Sequence, residues 1–456
     1  MDFAALLNSL GERPGDDVFV GLDRITRGEF ADLVRNYAGG LRKRKARTVG
    51  LVAGLNPPSL AFVLAAIGMG VRVDLIDPRG STELVGSRLE LSMPDFVVAT
   101  PGIKFALKGP KWVRGPMRLP DWRIWPEIVA MDDVGGAQVR RFGMERSQPT
   151  IGMFSGGSLE EPLGVVHTVA SLAAGAQAIT EPLQGGLGGP VVAQSWYAAL
   201  AAFAVGKPLL VPKRSGRALA RQIRRAKPSH CYLSPAQWRA VLTAGGAPTG
   251  QAHVGPGPVS EALLRRLLDA GADETWAWFG MAETGPVAVR RGVGSDAASD
   301  LPLGRLLQGV TARVDAGELV IGGASVAPRN MEGDWVDERR TGVRCGVRGS
   351  SLRLVGNNPE RIWCGGRLLD VALFESRLAV EGARRVLLLG EPTGDGDASL
   401  VVLVEFDGGN EKRVRKAVQR RAQALRLPVA GVVFGVVPIR DGVPDRQAAL
   451  DAVARR

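Results

Sequence analysis

Segments with helical periodicity alternate with short apolar segments along most of this chain of 456 residues. Thr26–Lys43 carries apolar residues at helical spacing, and the apolar stretch Thr48–Ala53 that follows it predicts a strand. The same order recurs at Pro58–Gly70 and Val71–Ile76, and again further along the chain. Strand–helix–strand units of this length form parallel sheets whose faces are covered by helices. The alternation therefore predicts an α/β fold.

The length and one change of pattern predict the domain organisation. At roughly 100–200 residues per domain, the chain should hold two or three domains. Gly317–Gly356 is rich in glycine and β-formers and has little helical pattern, whereas the alternation resumes at Asn357. Turn-forming residues cluster in GNNPER, near this change. We expect a large domain of stacked, parallel-rich sheets with a small β-region over residues 1–355. A small, mobile α+β domain should cover residues 356–456.

Composition excludes several classes of protein. The chain is 45% hydrophobic and 23% charged, which is near the globular average and excludes wholesale disorder. The net charge of +12 favours anionic partners, but no helix-turn-helix, zinc-finger or RNA-recognition motif accompanies the basic residues, so we do not expect a nucleic-acid partner. Three cysteines without a CxxC pair exclude a disulfide scaffold and a four-cysteine zinc site, and they suit a reducing cytoplasm.

Neither a membrane span nor a signal peptide is expected. The longest apolar stretch, Val191–Gly206, contains Gln194 and Ser195 and is shorter than the roughly 18 residues that a span needs. The N-terminus has Asp2 where a signal peptide carries positive charge, and it lacks an Ala-x-Ala cleavage site. We therefore predict a cytoplasmic protein.

Six dispersed segments carry most of the functional information. In chain order they are YAGGLRKRKARTVGLVAGLNPPSLAFVLAAIGMGVRVDLIDPR, FSGGSLEEPLGVVHT, HCYLSPAQW with VGPGPVSEALLRRL, WAWFGMAETGPV, GELVIGG with RTGV and IWCGGRLLDVALFESRL, and VVPIRDGVPDRQAAL. In type and order they resemble the motifs of the adenylate-forming superfamily, which includes acyl- and aryl-CoA synthetases, peptide-synthetase adenylation domains and luciferases. The best match is WAWFGMAETGPV, which resembles the YGxTE motif of that family. The resemblance covers nearly the whole chain.

The resemblance implies a two-step reaction. A carboxylate attacks the α-phosphate of ATP, giving an acyl-adenylate and pyrophosphate, and a thiol or an amine then attacks the adenylate. In the family, a glycine-rich loop and two lysines hold the phosphates, the TGD aspartate holds the ribose, and the YGxTE glutamate ligates Mg²⁺. The implied cofactors are ATP or AMP, Mg²⁺, and CoA or the phosphopantetheine of a carrier protein. The implied partners are a small acyl or aryl substrate and, given the basic charge, an acidic acyl-carrier protein.

The matching motif positions imply a set of site residues. They are Ser155, Gly156, Gly157 and Ser158 in the phosphate loop, Gly255, Gly257, Phe279, Gly280 and Met281 as further cofactor contacts, Trp196, Tyr197 and Trp278 in the substrate pocket, and Glu283 and His167 as catalytic residues, with Glu283 also the Mg²⁺ ligand. Some of these residues have a second interpretation. His167 is also typical of a core histidine, Glu283 of a surface or capping carboxylate, and Trp278 of simple sheet packing.

The nucleotide motifs depart from the family pattern. The loop lysine falls on Leu163, the ribose-holding aspartate on Val343 and the C-terminal lysine on Val443. The GRxDD hinge reads Gly356 followed by Asn-Asn-Pro-Glu. Losing one charge of this kind typically reduces a rate by about 10²–10³.

Arginines are the available replacements for the lost cations, because a guanidinium binds phosphate well. Arg344, Arg361 and Arg446 lie in or near the altered motifs. Three hypotheses therefore remain open. One is an enzyme acting on an acyl or aryl group with impaired or lost adenylation, by acyl transfer or by condensation of a pre-activated acyl group. The second is a non-catalytic pseudoenzyme that binds an acyl ligand, a nucleotide or a protein partner. The third is an active ATP-dependent carboxylate–CoA or carrier-protein ligase.

Overall fold

The structure is a computed structural model of the chain. It describes all residues except 79–81, 101–126, 140, 155–163, 185–187, 293–300, 355–360, 365–366, 394–396, 407, 409, 426, 441–442 and 456. The predicted phosphate loop, Leu163 and the predicted domain boundary at 355 lie outside the described residues.

The described residues form twelve α-helices and 27 strands. The helices are α1 Phe3–Asn8, α2 Arg27–Arg44, α3 Pro57–Met69, α4 Thr82–Ser92, α5 Val169–Leu183, α6 Trp196–Ala204, α7 Gly216–Ala226, α8 Pro235–Thr243, α9 Glu261–Asp269, α10 Val371–Leu378, α11 Glu411–Ala424 and α12 Arg446–Ala454. Short 3₁₀ helices lie at Gly21–Asp23 and Met131–Asp133.

The strands before residue 301 include all the parallel strands of the two large sheets. They are β1 Asp17–Phe19, β2 Ile25–Thr26, β3 Thr48–Val52, β4 Arg72–Ile76, β5 Phe96–Ala99, β6 Glu127–Ala130, β7 Pro149–Phe154, β8 Gly164–Thr168, β9 Val191–Ala193, β10 Leu209–Leu210, β11 His230–Leu233, β12 Gln251–Val254, β13 Glu274–Met281 and β14 Gly285–Arg291.

The later strands complete these sheets and form three smaller ones. They are β15 Leu301–Leu306, β16 Val310–Asp315, β17 Glu318–Gly323, β18 Arg329–Asn330, β19 Glu338–Arg348, β20 Ser351–Leu354, β21 Arg361–Cys364, β22 Arg367–Asp370, β23 Ala383–Thr393, β24 Asp397–Phe406, β25 Val429–Phe434, β26 Ile439–Arg440 and β27 Val443–Pro444.

Two large sheets organise the chain up to residue 354. The seven-stranded sheet has the order β18-β8-β7-β4-β3-β5-β6, and its strands from β7 to β6 pair in parallel. The 13-stranded sheet has the order β16-β17-β19-β20-β15-β14-β13-β12-β11-β9-β10-β1-β2. Its segment from β13 to β1 is parallel, and the strands from β14 to β16 are antiparallel. The α/β prediction is confirmed.

The main core lies where helices cover both large sheets. Its largest apolar cluster joins α2 and α3 to α5 and α6, with side chains such as Phe30, Phe62 and Leu200 completely buried. Residues after 361 have a separate sheet of β23, β24 and β25 with its own apolar cluster. Leu84 of α4 also belongs to that cluster, so the C-terminal segment contacts the larger part of the chain. The boundary at 355 stays a prediction.

Local sequence signals explain many of the element boundaries. Thr26 begins α2 as the first half of a capping box, in which its hydroxyl accepts from the Glu29 N–H while Glu29 accepts from the Thr26 N–H. Asn56 caps α3 with its side-chain oxygen, which accepts from the Ser59 N–H, and Pro57 follows it. The strand predicted at Pro208–Pro212 is only Leu209–Leu210 long, because each flanking proline lacks an N–H for the ladder. None of the twelve helices is both long and apolar enough to cross a bilayer.

A glycine in α2 tests this packing. A Cβ at Gly39 would lie 2.1 Å from the carbonyl oxygen of Ala137, a backbone atom that cannot rotate away. Alanine favours a helix by about 1 kcal/mol over glycine, but overpacking costs typically about 1–3 kcal/mol. Gly39→Ala should therefore lower the free energy of unfolding in urea. Gly54→Ala, where no atom lies within 4 Å of the new Cβ, is the control and should change it little. A Gly39→Ala protein as stable as wild type would contradict this packing.

Candidate active site

The hairpin of β13 and β14 forms the centre of the candidate site. Its turn contains Glu283, which is only 2% exposed. Thr284 closes the turn, since its hydroxyl accepts from the Met281 N–H at 3.1 Å and donates to the Gly285 carbonyl at 3.0 Å. Gly280 has to be a glycine here, because a Cβ would lie 2.3 Å from the Gly285 carbonyl oxygen. The turn therefore holds the Glu283 side chain inside the protein rather than at its surface.

His167 on β8 connects this turn to the other large sheet. Its Nε2 lies 2.8 Å from the carbonyl oxygen of Ala282, and its Nδ1 lies 3.1 Å from the Ser171 hydroxyl. A carbonyl only accepts, so Nε2 carries the proton and Nδ1 is an acceptor. The ring is completely buried. Burial is the main reason why the pKa of His167 falls to about 4; the Ala282 hydrogen bond opposes this change, and the positive charge of Arg339 adds to it.

Tyr197, the second residue of α6, lies against the same histidine. Its hydroxyl oxygen is 3.1 Å from Nε2 of His167, and the two rings meet edge to face. Because Nε2 is the donor, the tyrosine oxygen accepts there and its own proton points to another acceptor. Burial raises the pKa of Tyr197, and the negative charge of Glu283 raises it further. The structure thus brings together three of the predicted site residues.

A fourth charged residue, Arg339 on β19, joins this group. Its guanidinium is buried and donates from Nε and Nη2 to the Ala327 carbonyl at 3.0 and 2.8 Å, and from Nη1 to Asn330. The Ala327 N–H in turn donates to the Glu283 carbonyl at 2.9 Å. Burial lowers the pKa of Arg339, while the negative charge of Glu283 opposes that change. We call His167, Tyr197, Glu283 and Arg339 the turn cluster.

A ladder of rings crosses the neighbouring strands. Tyr232 on β11 stacks on His253 on β12 with centroids 4.0 Å apart, and Trp278 on β13 donates from its indole N–H to Nδ1 of His253 at 3.1 Å. Trp276 stacks on both His253 and Trp278. Within the described part of the chain, neither the Tyr232 hydroxyl nor Nε2 of His253 has a hydrogen-bond partner. Gly255 lies against Trp278, because a Cβ there would be 2.6 Å from the Trp278 carbonyl oxygen.

The remaining predicted residues are placed less closely around the turn cluster. Phe279 is buried in the apolar cluster that includes Val343, and its role as a cofactor contact stays a prediction. Met281 and Trp196 are half-buried, and Gly257 has a positive φ of 118°. For His167 the geometry favours the core interpretation, because both ring nitrogens are engaged inside the protein. We therefore treat it as a positioning residue rather than as a general base.

Sequence reasoning missed Arg339, Tyr232 and His253. The sequence feature that could have identified them is the alternation of inward-facing and outward-facing side chains along a strand. In β19, Arg339 and Val343 occupy inward-facing positions of an alternating pattern, and the exposed Arg340 and Arg344 occupy outward-facing ones. In β13, Trp276 and Trp278 likewise lie two positions apart.

The residues at the turn do not fit a magnesium ion held by Glu283. Among the described residues there is no group of three or more His, Cys, Asp or Glu side chains that could hold a metal ion. Mg²⁺ takes oxygen ligands in octahedral geometry, and it usually keeps several waters. Glu283 is instead buried, and its negative charge acts on the buried guanidinium of Arg339, a cation that would repel a metal ion bound there.

Comparison with known proteins identifies the family. The family model described as AMP-binding enzyme matches residues 3–329. The chain belongs to this family. The resemblance predicted from the motifs is thereby confirmed. No curated protein matches the chain.

Solved structures of related enzymes share the fold over the whole chain. The amide bond synthetase McbA from Marinactinospora thermotolerans superposes with a TM-score of 0.80 at 15% identity, covering 99% of each chain. A double mutant of o-succinylbenzoate CoA synthetase from Bacillus subtilis, bound to a product analogue, gives 0.77 at 15% identity and 98% of each chain. A malonyl-CoA ligase with methylmalonyl-CoA and AMP bound gives 0.73 at 20% identity, covering 96% of this chain and 100% of the other. At these identities the likeness establishes the fold alone.

The buried histidines predict a pH dependence of stability. Burial lowers the pKa of both His167 and His230 to about 4, whereas an unfolded histidine titrates near 6.5. The unfolded chain therefore binds more protons between these values, so the free energy of unfolding should fall as the pH drops from about 6.5 to 4. For His167 alone the loss is on the order of 3 kcal/mol.

Thermal unfolding measured from pH 7.5 to 5 checks this expectation. His167→Gln removes the titrating group and keeps hydrogen-bonding capacity, so this variant should show a shallower loss of stability with falling pH. Histidine resonances that titrate near pH 6.5 in the folded protein would contradict the burial of these side chains.

Proposed function

We propose that this member of the AMP-binding family acts on an acyl or aryl group with an impaired or lost ATP-dependent adenylation step. It would transfer or condense an acyl group that has been activated elsewhere. In such a transfer an amine or thiol forms the new bond to the acyl carbon, the bond to the leaving thiol or AMP breaks, and the proton of the nucleophile passes to the leaving group. No ATP is consumed in this step.

The position of Val343 is the observation that carries the proposal. The motif match places Val343 where the family has its ribose-holding aspartate. Its side chain is 3% exposed and packs in an apolar cluster with Phe279, Leu319 and Cys345. An unpaired carboxylate at such a position would be strongly disfavoured. A valine suits this apolar environment and an aspartate would not. The packing around Val343 therefore supports the loss of the ribose contact.

The arginine nearest to the lost C-terminal lysine has another role. Arg446 forms a two-bond pair with Glu375, with Nη1 to Oε1 at 2.5 Å and Nη2 to Oε2 at 2.8 Å. Both side chains are largely buried, and Glu375 also accepts from the Leu388 N–H. Pulling Arg446 toward a phosphate would leave a buried carboxylate without its cation, which is costly. This pair supports a structural role for Arg446. Arg344 is exposed on β19 and stays a candidate cation.

The acyl side of the site has retained more of its chemistry. The β13–β14 hairpin keeps a tight turn that requires a glycine at Gly280. The ring ladder includes Trp278 of the same hairpin. With Nδ1 of His253 accepting from Trp278, Nε2 carries the proton, so the ladder contains two buried donors without an acceptor among the described residues. Buried polar groups are normally satisfied. A flat aryl group with an acceptor atom would suit both the rings and these donors.

The finer partner and cofactor predictions belong to the same proposal. Between Glu181 and Glu261 the chain has nine Lys or Arg residues and no Asp or Glu. Three of those arginines, Arg217, Arg221 and Arg224, are exposed on α7. This basic helix supports docking of an acidic carrier protein whose phosphopantetheine, or a free CoA thiol, carries the activated acyl group.

A second function is favoured by the retained Glu283 and by the fold shared with synthetases. This is an ATP-dependent carboxylate–CoA or carrier-protein ligase in which arginine replaces lysine. A third, a pseudoenzyme, would bind the acyl ligand, a nucleotide or a protein partner without turnover.

One pair of assays separates the three functions. The first measures pyrophosphate release from Mg·ATP with a panel of aliphatic and aryl carboxylic acids. The second supplies aryl-CoA, carrier-bound thioesters and acyl-adenylates with amine and thiol acceptors. Transfer without pyrophosphate release supports the proposal, and transfer from the carrier should weaken in Arg221→Glu/Arg224→Glu. Pyrophosphate release at about 1 s⁻¹ or faster would establish the ligase. Binding without either reaction would establish the pseudoenzyme.

Weak nucleotide binding is the corresponding prediction for the wild-type chain. Calorimetry with Mg·ATP should give a Kd weaker than about 1 mM, which corresponds to less than about 4 kcal/mol of binding free energy. Val343→Asp should not restore binding, and it should lower the melting temperature because it buries a carboxylate in an apolar cluster. Val314→Asp, on the exposed face of β16, is the control and should melt like wild type. A Kd in the low micromolar range would contradict the proposal.

A further inference from the structure

Glu283 needs a positive charge near it. Its side chain is 2% exposed, and an ionised carboxylate in a protein interior is strongly disfavoured unless a cation or several donors compensate it. The family resemblance assigns that compensation to Mg²⁺. The described residues supply no set of metal ligands around it.

Arg339 is placed to compensate Glu283 from within the chain. Its guanidinium is 6% exposed, and two of its nitrogens hold the Ala327 carbonyl. The Ala327 N–H donates to the backbone of Glu283 itself. A chain of two hydrogen bonds therefore fixes the distance between the arginine and the turn. The arginine also lies close enough for its charge to act on His167, which contacts the residue before Glu283.

The hydrogen-bonding capacity of Arg339 is only partly used by its two neutral neighbours. A guanidinium has five N–H donors. Three of them are engaged, two by Ala327 and one by Asn330, which leaves two for other acceptors. Burial disfavours the charged form of this group, and the charges that oppose this effect are those of Glu283 and the exposed Glu332. A divalent cation bound at Glu283 would meet the fixed positive charge of Arg339.

We propose that Arg339 supplies the positive charge of this site in place of a divalent metal ion, so that the Glu283 turn is metal-independent. The proposal concerns charge balance at the turn. It does not depend on the loss of adenylation, and its failure would leave the proposed acyl transfer untouched.

A double-mutant cycle with a metal titration tests the proposal. Arg339→Met and Glu283→Gln each leave one buried charge without its partner, so each should lower the melting temperature by about 5 °C or more. The combined variant removes both charges. Its decrease in melting temperature should be clearly smaller than the sum of the two single decreases. Titration of wild type with Mn²⁺, followed by electron paramagnetic resonance, should show no saturable site below about 1 mM, a free energy of about 4 kcal/mol.

An exposed pair on the same strand is the matched control. Arg340 pairs with Glu318 at 3.0 Å, with side chains 53% and 27% exposed. Because surface pairs contribute little, Arg340→Met and Glu318→Gln should each shift the melting temperature by no more than about 2 °C. If Arg339→Met does not fold, Arg339→Lys is the alternative variant, because it keeps the charge and should fold. The combined variant should in either case be more stable than Arg339→Met.

Three results would overturn the proposal. The first is additive losses in the cycle, which would mean that the two charges do not interact. The second is a combined variant no more stable than Arg339→Met. The third is a stoichiometric Mn²⁺ site in wild type that disappears in Glu283→Gln.

Discussion

The hydrogen bond from Nε2 of His167 to the carbonyl of Ala282 is the constraint on which the site depends. It joins β8 of the seven-stranded sheet to the turn between β13 and β14 of the 13-stranded sheet, across 115 residues of sequence. The ring is neutral because burial lowers its pKa, and a neutral ring carries its single proton on Nε2. The Tyr197 hydroxyl lies 3.1 Å from the same nitrogen, and its ring meets the histidine edge to face. The position of Glu283 follows from where this bond holds the turn.

Charge balance is the second consequence of this arrangement. Glu283, the next residue after Ala282, is buried, and a carboxylate in the interior requires compensation. The inner face of β19 supplies a guanidinium at Arg339, whereas four residues later the same face carries Val343 in an apolar cluster. One strand thus places a cation beside the turn and an apolar side chain four residues further along the same face. These two positions support the proposal of an impaired or lost adenylation step on a retained family scaffold.

Local signals made most of the fold predictable. The capping box at Thr26 and Glu29 and the Asn-Pro start of α3 are encoded within a few residues, and these helices begin within a residue or two of their predicted positions. The predicted strand at Pro208–Pro212 is the exception. Hydropathy predicted a strand over the whole segment, but the prolines lack an N–H and limit the hydrogen-bonded strand to Leu209–Leu210. The resemblance to the YGxTE motif also singled out Glu283, but the hairpin turn that holds this residue was not predicted.

The composition of the turn cluster was less predictable, for a physical reason. Whether a histidine is a base or a core residue depends on burial and on both partners of its ring, and Ala282 contributes only a backbone carbonyl, which no side-chain motif records. Arg339 resembled its neighbours Arg340 and Arg344 in a basic segment, and only the alternation of the strand distinguishes the inward side chain from the outward ones. Long-range contacts of this kind require the assembled sheets.

The central claim is that the acyl half of the site is functional and the nucleotide half is not. It is tested most directly by comparing the affinity of an acid that binds with that of its non-hydrolysable acyl-sulfamoyl adenosine. If the ribose and phosphate contacts are lost, the adenosine portion should add less than about tenfold in affinity, which is about 1.4 kcal/mol. A gain of 10³-fold or more, about 4 kcal/mol, would show a working nucleotide site and would contradict the account.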